Sequence, residues 1–183
     1  MPEHSESTQV PQPSPERIVT PMGHPLVVGI TPGQPELVAL TAATWARALG
    51  GVPLHFGYVD RSRVVVAESS DGTVRHAPID PDSDDGWQHT SERIEQFLRV
   101  TLDAQTTPWT FHYLAGPPGR ALTHLARAVD AAAIVVGAQH PSASARLRDF
   151  VSGSVALNLS RHQHRPVVVV PLSVVDWQAP APW

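Results

Sequence analysis

Apolar positions along this chain recur with two alternating periods. Residues 25–30 form a β-branched run that predicts a first strand, and residues 52–59 predict a second. Between them Pro35 and Gly50 bracket a helix over 36–49, in which Leu37, Leu40, Trp45 and Leu49 recur at helical spacing. Residues 63–67 and 73–76 flank Ser69-Ser70-Asp71-Gly72 and predict a hairpin with Asp-Gly at its turn. An acidic loop over 80–86 precedes a helix over 88–103 that carries Ile94, Phe97, Leu98 and Leu102 on one face. A third main strand follows at 109–114. Gly116-Pro117-Pro118-Gly119 then opens a helix bearing Leu122, Leu125, Ala126 and Val129. Ala133-Ile134-Val135-Val136-Gly137 is a fourth strand, residues 154–162 are a last helix, and 166–170 end in an unbroken valine strand.

Strands alternating with helices imply crossover connections and a parallel sheet covered on both faces. Ligands on such sheets sit beyond the carboxyl ends of the strands, where the winding reverses. Here that points to the loops after Ile30, Tyr58 and Gly137. Residues 1–24 are rich in Pro, Ser, Gln and Glu and are expected to form a disordered leader. Residues 25–171 are expected to form one α/β domain. Residues 172–183 are expected to form a tail, from which Val174, Val175 and Trp177 can dock on the domain surface.

Composition narrows the function. The 183 residues are 42% hydrophobic and only 16% charged, with a net charge of -4 and no basic run, so a duplex-binding surface is disfavoured. The absence of cysteine excludes disulfides, thiolate catalysis and sulfur-based zinc sites. No apolar segment approaches the roughly 20 residues of a membrane helix, and the first residues lack a signal-peptide pattern. A cytoplasmic protein that contacts neither membrane nor nucleic acid is expected.

The segment ending in Gly137 and the run Gly153-Ser154-Val155-Ala156 lead through Arg161-His162 to Arg165-Pro166-Val167-Val168-Val169-Val170. Together they resemble the universal stress proteins over roughly residues 25–171. The resemblance implies an open parallel five-stranded sheet with helices on both faces. It also implies a homodimer that pairs the last strand, Val167, Val168, Val169 and Val170, across a two-fold axis. An exposed apolar edge strand is consistent with that pairing.

Nucleotide-binding members carry glycine, two residues, glycine, nine residues, then Gly-Ser or Gly-Thr. The resemblance thus implies an ATP or AMP site built from Thr31, Tyr58, Val136, Gly137, Ala143, Gly153, Ser154 and Val155. A helix mouth offers free N–H groups to a phosphate. This chain departs from the pattern twice. Its loop is three residues longer, so the second glycine falls on Ala143 or His140. Thr31 stands where binders place an aspartate that reaches the nucleoside. Ser142, Ser144 and Arg146 are candidate compensations, and an occupied site is expected to order residues 139–152. Two alternatives stay open: a member that acts only through protein contacts, and a small-molecule enzyme on the same scaffold.

Other constellations weigh toward simple structural roles. The acidic run from Asp80 has Asp85 where a calcium loop needs glycine and Ser91 where it needs a bidentate glutamate, so a solvated loop is expected. His162 and His164 are expected to meet helix-end carbonyls rather than a metal. His124, with Arg120 and Arg127, is expected on a solvent-facing helix side, and His55 and His112 as satisfied, partly buried strand residues. No Walker loop, nucleophile elbow or dinucleotide fingerprint is present, and no side chain is nominated as a catalytic nucleophile. A non-enzymatic protein without a bound metal is expected.

Overall fold

The wholly apolar Leu26-Val27-Val28 run becomes the central strand of the fold, and its position explains its composition. A computed structural model describes residues 14–82, 86–138 and 155–172. In it β1 (Leu26–Gly29) is flanked on one side by β2 (Leu54–Asp60) and β5 (Trp109–Ala115), and on the other by β6 (Ala133–Gly137) and β7 (Val167–Val170). The order is β5-β2-β1-β6-β7, and every pairing is parallel. This is the predicted open five-stranded sheet. The chain winds outward from β1 through β2 to β5, then returns to β6 beside β1. The winding therefore reverses between β1 and β6.

Side-chain alternation along β1 splits the core into two layers. Leu26, Val28 and Ile30 face α1 (Leu37–Ala48) and α2 (Trp87–Thr101), where Val38, Ala42, Ile94 and Leu98 are buried. Val27 and Ile134 face α3 (Pro118–Ala128) and α4 (Val155–His162), against Leu122, Leu125 and Leu159. Gly29 and Gly57 are register partners on β1 and β2, and a Cβ on either would stand 3.1 and 3.0 Å from Leu122 side-chain carbons. Their lack of a side chain lets α3 ride close to the sheet.

One expectation for α1 is corrected. Leu37 and Trp45, placed on its apolar stripe, are 50% and 45% exposed, and the buried face is Val38, Ala39, Ala42, Ala43 and Ala46. Small side chains bring the helix axis close to the sheet, and the larger residues are left at its flank.

The predicted hairpin forms as β3 (Arg63–Glu68) and β4 (Val74–Pro78), an antiparallel pair separate from the main sheet. Gly72 takes φ +84° at its turn, and Asp71 Oδ1 accepts bonds from the Thr73 N–H and hydroxyl at 3.0 and 2.7 Å. The hairpin packs on the body. Arg63 is buried, donates from Nε to His76 Nδ1 at 2.6 Å, and lies 5.7 Å from the Trp87 ring centre. Trp87, His76 and Tyr113 form a mutually packed ring cluster. His124 does not face solvent as expected. The hairpin covers it, and its Nδ1 lies 3.4 Å from Glu68 Oε2.

His55, His112 and His162 take the expected places. His55 Nδ1 and His112 Nε2 are 3.0 Å apart, and His162 Nδ1 is 2.9 Å from the Asn158 carbonyl oxygen. Within the stretch expected to be a leader, Val19 packs on the first core layer and His24 Nδ1 lies 3.0 Å from the Asp130 carbonyl oxygen. Residues 1–13, 173–183 and most of the acidic run's centre (83–85) lie outside the described residues.

Candidate functional site

A cavity of about 510 Å³ opens at the carboxyl ends of β1, β2 and β6, beside the point where the winding reverses. Thr31, Tyr58, Val136, Gly137 and Val155, five of the sequence-predicted site residues, all line it. Residues far apart in the chain thus converge because parallel strands end together. Ala143, Gly153 and Ser154, with the rest of the loop over 139–154, lie outside the described residues.

Each wall has a local cause. β1 ends at Gly29, and the chain turns through Thr31 and Gly33 (φ +73°) into α1. Gln34 closes this turn on itself. Its Oε1 accepts from the Thr31 N–H at 3.0 Å and from the Thr31 hydroxyl at 3.1 Å. Because a backbone N–H can only donate, these bonds fix the amide orientation and leave Nε2 on the other side. There Gln34 Nε2 is buried with no hydrogen-bond partner among the described residues, at 3.1 Å from where a Gly137 Cβ would stand. Glycine at 137 leaves room for that amide on the cavity wall.

The β2 wall carries the charge. Asp60 ends β2, and its Oδ1 accepts from the Ser62 N–H at 2.8 Å and the Ser62 hydroxyl at 2.6 Å. Its Oδ2 accepts from the Tyr113 hydroxyl at 2.6 Å. Burial alone would push the Asp60 carboxyl up, but the Ser62 and Tyr113 hydrogen bonds and the Arg63 charge outweigh it and hold the group below the usual carboxylate range. Asp60 is therefore ionised at neutral pH. Burial, and then the bond to Asp60, pushes the Tyr113 hydroxyl well above the usual phenol range, so it acts as a fixed donor. Tyr58 is pushed up by burial and then by the Asp60 charge. Arg61, exposed beside them, lines both this cavity and a neighbouring one of about 520 Å³ at the start of α3.

Sequence inspection missed Gln34, Asp60 and Arg61. The expectation for β2 ended at Val59, one residue short of the strand's end. Asp60 and Arg61 had a usable signal, since the first polar residues after a strand in a parallel sheet sit at its ligand-facing edge. The role of Gln34 had none. It depends on side-chain orientation within the turn.

The arrangement combines a fixed carboxylate, a buried amide donor that no described residue pairs, an aromatic edge from Tyr58 and an apolar floor from Leu122 and Val136. These are recognition groups for a polar, partly aromatic small molecule. Among the described residues no cluster of three histidine, aspartate or glutamate side chains is placed to hold a metal ion. No helix among them is long and apolar enough to cross a membrane.

Comparison with known proteins agrees with this fold. No curated protein sequence matches the chain significantly. Among solved structures, the chain is similar to the universal stress protein from Archaeoglobus fulgidus in complex with dAMP, at 20% identity over 80% of this chain and 97% of that one, with a TM-score of 0.55. A universal stress protein in complex with cAMP matches at 20% identity over 82% and 98% of the two chains, with a TM-score of 0.56. One from Lactobacillus plantarum matches at 16% identity over 81% and 98%, with a TM-score of 0.58. At these identities the likeness establishes the fold. The family model for the universal stress proteins matches residues 22–171, a span that holds the seven strands and four α-helices of the described residues, and the chain belongs to that family.

Proposed function

We propose that this chain is a ligand-responsive regulatory protein that holds an adenine nucleotide, ATP or AMP, in the cavity at the ends of β1, β2 and β6. The observation that carries the reading is the convergence of Thr31, Tyr58, Val136, Gly137 and Val155 on one cavity of about 510 Å³ at the switch point. Two structurally similar proteins hold dAMP and cAMP. The polar and aromatic lining suits a nucleoside, and the first turn of α4 at Val155 adds the positive end of a helix dipole on the far side. The protein binds rather than transforms its ligand, and it acts in the cytoplasm as a homodimer. Support for the dimer comes from β7, an edge strand of four valines whose Val169 is 45% exposed.

A second reading, a member that works through protein contacts alone, draws on Thr31. It brings no carboxylate to the end of β1, and both its N–H and its hydroxyl proton are already donated to Gln34 rather than free for a ligand. Calorimetric titration of AMP and ATP separates the two. Binding is expected, and Val155→Trp, which fills the cavity, is expected to weaken it at least tenfold, about 1.4 kcal/mol. No heat with either nucleotide leaves the contact-only reading. Unchanged binding by the variant places the ligand elsewhere.

A further inference from the structure

The end of β1 carries Thr31 in place of a carboxylate, yet the cavity does contain one. It comes from the neighbouring strand. Asp60 lines the cavity, and three donors hold its two oxygens in place: the Ser62 N–H, the Ser62 hydroxyl and the Tyr113 hydroxyl. An ionised carboxylate has about four acceptor positions. Three are taken, and one remains for a group inside the cavity. The donors also remove the entropy of fixing the side chain, so a ligand meets an acceptor that is already aimed.

Thr31 is the weaker acceptor: its N–H and hydroxyl both donate to Gln34 Oε1, and the lone pairs left on its hydroxyl oxygen carry no charge. Charge gives the polarity of the site. A fixed carboxylate repels phosphate and attracts N–H or O–H donors, so the β2 end takes the nucleoside, and the phosphate lies toward β6 and α4.

Resting on the nucleotide reading above, we infer that Asp60 is the specificity-determining residue of this cavity, and that it accepts a hydrogen bond from a ribose hydroxyl or the exocyclic amine of the bound adenine nucleotide. A ligand that presents only acceptors at that point is disfavoured, because its lone pairs would face the carboxylate charge with no proton between them.

The test is a titration matrix by calorimetry. Wild-type protein and Asp60→Asn are each titrated with AMP, 2′-deoxy-AMP, 3′-deoxy-AMP and IMP, and thermal melts confirm that the variant is folded. Asp60→Asn is expected to weaken AMP binding roughly tenfold or more, the loss of one charge-assisted hydrogen bond. For the one analogue that lacks the donor Asp60 reads, the wild type is already weakened and the substitution adds nothing. That pattern names the donor. Equal losses for all four nucleotides would mean that Asp60 acts only through the fold, and would overturn the inference. So would an unchanged AMP affinity in the folded variant. If AMP binds the wild type and Val155→Trp abolishes it while Asp60→Asn does not weaken it, the nucleotide reading stands and this one falls. If AMP does not bind the wild type, both fall together.

Discussion

His112 on β5 is 7% exposed, and its Nε2 meets His55 Nδ1 at 3.0 Å. Only one of the two rings can supply the shared proton, so the contact opposes protonation of both rings at once. Burial first, and then the positive charge on a protonated His55, lower the His112 pKa from 6.5 to about 4 against the opposing pull of the Asp71 carboxylate. Burial also lowers His55. Between these values the unfolded chain binds more protons than the folded one, so stability is full above about pH 6.5 and falls as the pH drops toward 4. Urea unfolding at a series of pH values is expected to show a loss on the order of 2 kcal/mol across that window, reduced by the solvent that still reaches the pair. His112→Gln, which keeps a polar partner for His55, is expected to flatten the profile. An unchanged slope in the variant would assign the pH dependence to other groups.

Among the elements, α3 holds the site together. Leu122 packs over Gly29 and Gly57 and also forms part of the cavity floor. The same helix takes the hairpin on its outer side, where a Cβ on Gly72 would stand 2.7 Å from Leu125 Cδ1. Glycine is needed there twice, for its φ of +84° and for this contact. Leu122 is 2% exposed, and Leu122→Ala is expected to cost about 2–5 kcal/mol in denaturant unfolding. It is expected to weaken nucleotide binding as well, since the floor of the cavity recedes. A loss of stability with full retention of affinity would separate the helix from the site. The hairpin is coupled to the same region through Tyr113, which donates to Asp60 and packs its ring on His76 of β4. A segment inserted between β2 and α2 therefore buttresses the cavity's charged wall.

At the scale of the whole molecule, the two edges of the sheet differ. The hairpin packs beside β5, through His76 and Tyr113, whereas β7 pairs only with β6 among the described residues. The exposed valine edge carries the proposed two-fold pairing. Sedimentation velocity is expected to give a dimer for the wild type and a monomer for Val169→Asp, with little change in melting temperature because Val169 points outward. A wild-type monomer at micromolar concentration would remove this interface from the proposal.

Much of this protein can be read from its sequence because local physics is repeated along it. The valine-rich strands, the proline and glycine that bracket α1, and the Asp-Gly turn of the hairpin each report a preference that the fold satisfies without conflict. The alternation of periods then determines a parallel sheet, and a parallel sheet determines where its ligand cavity lies. What only the tertiary structure decided is which side chains act there. The alanine face of α1 displaced Leu37 and Trp45 because helix-to-sheet distance, rather than residue hydrophobicity, sets the packing. His124 went under the hairpin because an insert can fold over a helix face that looks solvent-exposed in isolation. Asp60 became the cavity's carboxylate through partners at Ser62 and at Tyr113, which lies 53 residues away and which no local pattern connects to it.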